Sequence, residues 1–289
     1  MTPEIKNILI TGANGQLGSE FRELAKQLPS FHFIFTDREE LDITDKKAVM
    51  TFFADHLIYY CVNCAAYTAV DKAEQERDIA EKINHTAVGH LAAAAKETNA
   101  YFLHISTDYV FNGKSTEPYE PDAPTDPVNF YGETKLRGEQ IALRENPATI
   151  IIRTAWVYSS FGNNFVKSMM RLMKEKESLH VVSDQKGTPT YAADLAGAVI
   201  KIIQSGNWVP GIYHYTNEGE TSWYHFAQEI AIQIDTKCVV HPITAAEYPT
   251  PAARPLYSVL NKSSIKEEFG IYISPWQDSL KKCIAKMPS

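Results

Sequence analysis

Tyr131 and Lys135 stand four residues apart in the run Asn129-Phe130-Tyr131-Gly132-Glu133-Thr134-Lys135. On a helix that spacing puts both side chains on one face. An ammonium beside a phenol favours the phenolate, so a group that ordinarily titrates at roughly 10 exchanges its proton nearer neutrality. That is the property of a general acid or base. Alone, Tyr-x-x-x-Lys is an everyday helix-surface pattern. Its weight here comes from a second pattern, Gly12-Ala13-Asn14-Gly15-Gln16-Leu17-Gly18, directly after the apolar run Ile8-Leu9-Ile10.

The apolar run predicts a short buried strand, too brief for a helix. Beyond the glycines, Leu17, Phe21, Leu24, Ala25 and Leu28 recur at helical spacing, so strand, glycine-rich turn and helix follow in order. Such a turn aims backbone amides and a positive helix terminus at one spot, where a pyrophosphate can sit. The spacing is G-x-x-G-x-x-G, a loose version of the usual G-x-G-x-x-G. The next strand, His32-Phe33-Ile34-Phe35, ends at Asp37, roughly 20 residues past the last glycine, where a ribose-binding acid belongs. The pair of patterns predicts a dinucleotide site.

The elements that must position these residues alternate through the first half. A helix is expected over Lys46–His56, a strand near Cys61 and a long helix over Ala80–Lys96. Further strands are expected at Tyr101–Ile105 and Thr149–Arg153, on either side of the Tyr131 helix. Continuous apolar strands joined by helices predict a doubly wound parallel sheet covered on both faces, an α/β fold. From about Ala155 the pattern loosens, with helices at Asp194–Gln204 and Trp223–Ile234. The expected division is 1–158 for a dinucleotide-binding domain and 159–289 for a smaller C-terminal α/β substrate lobe. A strand and helix near 179–204 are candidates to return to the first part.

Ligands of such a sheet bind beyond the carboxyl ends of its strands. Asn63-Cys64-Ala65-Ala66-Tyr67 closes one strand, and its small residues let a ligand approach the backbone. Ser106-Thr107-Asp108-Tyr109 closes the next, where a hydroxyl can orient a carbonyl beside the tyrosine. Arg153-Thr154-Ala155-Trp156 closes a third. Trp156 suits either a core or the wall of a sugar site.

The 289 residues carry 28 basic and 35 acidic side chains, a net charge of -7, which argues against nucleic-acid or anionic-membrane binding. Glu4 and Lys6 near the start argue against a signal peptide, and no apolar run reaches membrane-spanning length, so a cytoplasmic location is expected. Cys61 and Cys64 resemble a redox or zinc pair only in spacing. With no second pair in the chain, they are expected to be small buried hydrophobes. The nine histidines show no metal-ligand spacing.

Thr11-Gly12-Ala13-Asn14-Gly15-Gln16-Leu17-Gly18, Ser106-Thr107-Asp108-Tyr109-Val110-Phe111 and Tyr131-x-x-x-Lys135 together resemble the extended short-chain dehydrogenase/reductase superfamily. Gly162-Asn163-Asn164-Phe165, Asp184-Gln185-Lys186-Gly187-Thr188-Pro189-Thr190 and Tyr248-Pro249-Thr250-Pro251-Ala252-Ala253-Arg254-Pro255 narrow the resemblance to the dTDP-4-dehydrorhamnose reductase family, almost end to end. The resemblance implies reduction of dTDP-6-deoxy-L-lyxo-4-hexulose to dTDP-L-rhamnose, for cell-surface polysaccharide, with NADPH or NADH. Tyr131 would protonate the keto oxygen, Lys135 would lower the phenol and hold a ribose, and Thr107 would orient the keto group. Gly12, Gly15, Gln16, Leu17 and Gly18 would face the pyrophosphate, with Asp37, Arg38, Asp42 and Ile43 at the adenosine end. Ala65, Ala66, Tyr67 and Ile105 would line the middle of the cofactor. Thr107, Asp108 and Trp156 would meet the sugar nucleotide, and Arg254 would grip its pyrophosphate bidentately.

Two departures from the family pattern bear on these expectations. Some relatives are thought to dimerise through a magnesium ion held by glutamates; Glu20 fits one position, but Ala193 and Gln277 stand at the others, so no metal is expected. A monomer or weak homodimer follows. Arg38 after Asp37 leaves both dinucleotides open, since an acid suits a free 2′-hydroxyl and an arginine a 2′-phosphate. Two alternatives remain. A nucleotide-sugar dehydratase or epimerase would use the same tyrosine and lysine, but dehydratases usually carry Thr-Asp-Glu where this chain has Thr107-Asp108-Tyr109. A non-catalytic subunit, like the regulatory subunit of methionine adenosyltransferase, would bind cofactor without turnover.

Overall fold

A computed structural model of the chain describes residues 5–287. Glu4, which counts above against a leader, lies outside them. Six parallel strands form the central sheet: β1 (Lys6–Thr11), β2 (Phe31–Thr36), β3 (Ile58–Asn63), β4 (Tyr101–Thr107), β5 (Ile150–Thr154) and, after the separate strand β6 (Ser178–Val182), β7 (Gly211–His214). Their order is β7-β5-β4-β3-β1-β2. The chain steps to one side of β1 and then to the other, so a crevice opens at the carboxyl ends between β1 and β3, where ligands of this architecture bind.

The sheet is buried on both faces because its strands are apolar at successive positions. Ile8 and Ile10 point into one core with Val62, Leu103 and Ile152; Leu9 points into the other with Cys61 and Phe102. Helices α1 (Gln16–Ala25), α2 (Lys46–Asp55), α3 (Ala87–Glu97) and α4 (Phe130–Glu145) cover these faces. A π-helical turn at Lys82–Thr86 precedes α3. α4, which carries the tyrosine and lysine, starts where the Asn129 side chain accepts the Gly132 N–H at 2.8 Å. That cap fixes the register of Tyr131 within the first turn.

The remainder contains α5 (Phe165–Glu175), α6 (Ala192–Ser205), α7 (Trp223–Gln233), the strand β8 (Val239–Ile243), α8 (Ser263–Phe269) and α9 (Trp276–Ala285). The strand near 179, a candidate from sequence to rejoin the first part, does not do so. β6 pairs in parallel with β8, placing Leu179 beside Val240. Both pack in a core with Tyr158, Val166, Phe226 and Trp276. The helix near 194–204 does return: α6 packs on α1 and adds Leu195, Val199 and Ile203 to the sheet core. So does β7, whose four residues after Pro210 carry too short an apolar pattern to mark a strand. The sheet-bearing lobe is therefore discontinuous and does not end at residue 158. Among the described residues no helix is long and apolar enough to cross a membrane.

Candidate active site

A cavity of about 1030 Å³ runs along the carboxyl ends of the central strands. At one end α1 begins at Gly15, which has no side chain to cap the helix, so the first-turn amides of Gln16, Leu17 and Gly18 lack a side-chain acceptor. A helix start left open in this way suits an anion. Gly12 has φ +63°, and a Cβ there would lie 2.7 Å from the Ala65 backbone. At Gly18 a Cβ would lie 2.5 Å from the Gly12 carbonyl. These two glycines let the loop, the β3 end and the helix close on one another.

The adenosine end predicted from sequence is also on the wall. Asp37, Arg38, Asp42 and Ile43 all line the cavity. Asp37 accepts the Asn14 amide at 3.1 Å and the Arg38 amide at 2.9 Å, which aims its carboxylate at the loop. Asp42 accepts the Thr44 hydroxyl and amide at 2.6 and 2.9 Å, and these bonds hold its carboxyl below the usual range. Ala65, Ala66 and Ile105 form the middle of the wall. Cys64 lines it too and is only half-buried, so the expectation of two buried cysteines holds for Cys61 alone. Cys64 lies just past the end of β3, where the chain turns toward the crevice.

Tyr67 is not among the cavity-lining side chains. Its hydroxyl donates to Glu76 at 2.5 Å, and its backbone is held on both sides by Asn84 of the π turn, at 2.8 and 3.1 Å. Arg254 is likewise turned away from the cavity. Its guanidinium donates to both oxygens of Asp71, at 2.7 and 2.8 Å, and to the Ala252 carbonyl. The bidentate geometry that suggested a phosphate partner is spent on an aspartate of the same chain, whose carboxyl it holds below the usual range.

Thr107, Asp108, Tyr131 and Lys135 converge at the centre. Thr107 donates to Asp108 at 3.0 Å and accepts the Tyr109 amide at 3.2 Å. Asp108 is 2 % exposed, and its Oδ2 has no partner. Burial pushes its carboxyl up to about 6, against the pull of Ser258 and Thr107. Burial also pushes the Tyr131 phenol up to about 12; the Thr107 hydroxyl opposes that rise and the Asp108 carboxyl adds to it. The Lys135 amine is driven down to about 8 by burial, with Glu139 and then Cys64 opposing. It donates to the Ile105 carbonyl at 2.7 Å. The direct lowering of the phenol by Lys135, expected from the i,i+4 spacing, is thus absent in this state: burial drives both groups toward their neutral forms.

Trp156 also lines the cavity, with φ +48°, and stacks on Trp223 at 3.6 Å between ring centroids. Trp223, Lys82, Asn163 and Asn164 also line it, and the sequence assigns none of them a site role. Trp223 follows the helix cap Ser222 and carries no local signal of a site; Gly162-Asn163-Asn164 was marked as a family segment without a role. Glu20, on the buried face of α1, accepts the Ser159 hydroxyl at 2.7 Å. Among the described residues no group of three or more His, Cys, Asp or Glu side chains is placed to hold a metal ion.

The family model for the RmlD substrate binding domain matches residues 6–289. A dTDP-4-dehydrorhamnose reductase of Aggregatibacter actinomycetemcomitans is 42% identical over 284 residues, covering 95% of this chain and 97% of that protein. The spore coat polysaccharide biosynthesis protein SpsK of Bacillus subtilis is 41% identical and covers 98% of each chain. Among solved structures, a dTDP-4-dehydrorhamnose reductase from Clostridium acetobutylicum superposes with a TM-score of 0.92 at 45% identity, covering 96% of this chain and 98% of that one. The Bacillus anthracis reductase in complex with NADP gives 0.94 at 37% identity, covering 98% and 100%. With its parallel sheet, open helix start and central Thr107, Tyr131 and Lys135, the chain belongs to the dTDP-4-dehydrorhamnose reductase family.

Proposed function

We propose that this protein reduces the 4-keto group of dTDP-6-deoxy-L-lyxo-4-hexulose to give dTDP-L-rhamnose, using NADPH or NADH, as a step toward polysaccharide. The observation that carries the reading is one cavity lined together by an open helix start, by Thr107, Tyr131 and Lys135, and by stacked tryptophans. A dinucleotide fits the first part, because Gly12 and Gly18 let the loop close against the Ala65 backbone and the helix while the uncapped start of α1 lines the cavity. Gln16, Leu17 and Gly18 would hold its pyrophosphate, Asp37, Arg38, Asp42 and Ile43 its adenosine end, and Ala65, Ala66, Ile105 and Lys135 its middle. When bound it supplies the hydride.

The protein's own residues handle the proton and the geometry. Thr107 turns its single hydroxyl proton from Asp108 to the keto oxygen, which holds the carbonyl against Tyr131. The Tyr131 phenol keeps its proton in the buried site and gives it to that oxygen as negative charge develops there. Lys135, charged, steadies the phenolate that remains. The carboxyl of Asp108, with an unpartnered oxygen, accepts a sugar hydroxyl, and Trp156 offers a flat apolar wall to the ring. Tyr67 and Arg254 shape the site from behind without touching a ligand. The protein works as a monomer or weak homodimer on a small-molecule substrate.

The test is turnover. Purified protein with the 4-keto-6-deoxy-L-sugar nucleotide should consume NADPH or NADH mole for mole and yield dTDP-L-rhamnose. It should also oxidise that product in reverse. A dehydratase would convert dTDP-glucose with no net change in cofactor absorbance. Inactivity in both directions by a folded, cofactor-binding sample would refute the reductase reading and leave a binding subunit.

A further inference from the structure

Behind Lys135 lies a chain of fully buried polar side chains that ends at its amine. Thr11 Oγ1 donates to Asn63 Oδ1 at 2.6 Å; Asn63 Nδ2 lies 3.0 Å from His104 Nδ1; His104 Nε2 lies 3.3 Å from Lys135 Nζ. The orientation of this chain is fixed at its far end. Asn63 Oδ1 also accepts the Ala65 backbone N–H at 3.1 Å, and a backbone amide only donates. The amide therefore cannot be flipped without setting two donors against each other, so Asn63 Nδ2 faces His104 and donates. His104 Nδ1 accepts, and the single proton of the neutral ring sits on Nε2, pointing at Lys135. Burial, and Lys135 after it, hold the imidazole far below its ordinary range, in agreement with a ring that stays neutral.

We propose that Thr11, Asn63 and His104 form a positioning relay that aims one fixed His104 N–H at the Lys135 amine and so sets the charge of that lysine. An N–H directed at Nζ opposes the ammonium and suits the amine, whose lone pair can accept it while one of its own hydrogens goes to the Ile105 carbonyl. The other groups facing Lys135 do not cancel this. Glu139, from its own helix, is taken up by Arg153 at 2.7 and 2.9 Å and by Ser106 at 2.5 Å. The Cys64 thiol, from the end of β3, is kept protonated by burial, and Tyr131 keeps its phenol proton. The inference rests on the role of Lys135 in the proposed reaction only for its kinetic consequence. His104 is then a positioning residue, acting on catalysis through Lys135.

The first test needs no substrate. Nitrogen-15 NMR of ring-labelled histidine in the cofactor-free protein, assigned by the signal lost in His104→Leu, should show a protonated Nε2 and a bare Nδ1. A proton on Nδ1 would overturn the relay, and it would do so whether or not the protein is a reductase. The second test reverses the relay. In Asn63→Asp the carboxylate still accepts from Thr11 and Ala65 but can only accept from His104. The ring proton should move to Nδ1, leaving Nε2 as an acceptor for the ammonium. The alkaline limb of kcat/KM, and of dinucleotide affinity measured without sugar nucleotide, should then rise by about one pH unit or more. In Asn63→Asp/His104→Leu that rise should disappear. A limb that stays put in Asn63→Asp, or that rises equally in the double variant, would show that the histidine does not govern the lysine.

Discussion

Lys135→Met should make the cofactor-free protein more stable at neutral pH while destroying its activity. The lysine is 2 % exposed, and burial moves its amine from an ordinary 10.5 to about 8. A base lowered on folding is charged at a cost at every pH below its folded value, and the cost fades as pH rises toward the unfolded one. At about 1.4 kcal/mol per pH unit, the native state at pH 7 bears about 3 kcal/mol, falling to about 2 at pH 9 and below about 1 at pH 10. Methionine removes that cost but leaves the Ile105 carbonyl and the His104 N–H short of a partner, at about 1 kcal/mol each or less. The variant should therefore be more stable by about 1–2 kcal/mol at pH 7 and no more stable, or less, at pH 10. Urea unfolding followed by tryptophan fluorescence at the two pH values measures the difference. Both proteins keep Tyr131, so its titration cancels. A wild type clearly more stable at pH 7, or a gap that does not narrow as pH rises, would refute the claim that this lysine is held against its own charge.

Tyr131→Phe keeps the ring and deletes the proton, so kcat should fall by roughly 10²-fold or more while dinucleotide Kd, from fluorescence titration, hardly changes. Gly18→Ala places a methyl 2.5 Å from backbone atoms of Gly12 and Ala13 that cannot swing aside. Strain of the size typical of overpacking, about 1–3 kcal/mol, should raise dinucleotide Kd by roughly tenfold to a hundredfold. Normal binding in that variant would separate the loop from the cofactor.

The sheet and the glycine loop were legible because local pattern and global placement agree there. Ile8-Leu9-Ile10 has room for nothing but a strand buried on both faces, and the glycines that follow meet backbone at distances no side chain tolerates. β7 was not legible: four residues reach the sheet edge only because β5 offers them a parallel partner. The 178–182 strand was legible as a strand but not in its partner, which lies more than fifty residues on in β8. At the site, residue type found the cavity wall and failed where a side chain had a rival partner. Arg254 has the geometry for phosphate and meets Asp71 first; Tyr67 sits beside Ala65 and Ala66 and turns its hydroxyl to Glu76. Trp223 reaches the cavity by stacking across the C-terminal lobe on Trp156, which no spacing along the chain encodes.

The buried ionisable groups fall into two kinds, and the division separates scaffold from chemistry. Glu139 and Arg153 are both buried, yet each is met: the guanidinium fits the carboxylate bidentately, Ser106 supplies a further donor and the Pro121 carbonyl takes another N–H. Their charges are compensated in place, and they tie α4 to β4, β5 and the loop before α4. Asp108, Tyr131 and Lys135 are met by no opposite charge in an ion pair, and burial displaces each toward its neutral form. The displacement brings Asp108, at about 6, and Lys135, at about 8, to either side of neutrality, where a small change in surroundings changes their charge, while Tyr131 keeps its proton until one is called for. The compensated pair runs from the Ser106 strand end to the helix of Lys135. It thereby ties the strand that ends in Thr107 to the helix that carries Tyr131 and Lys135.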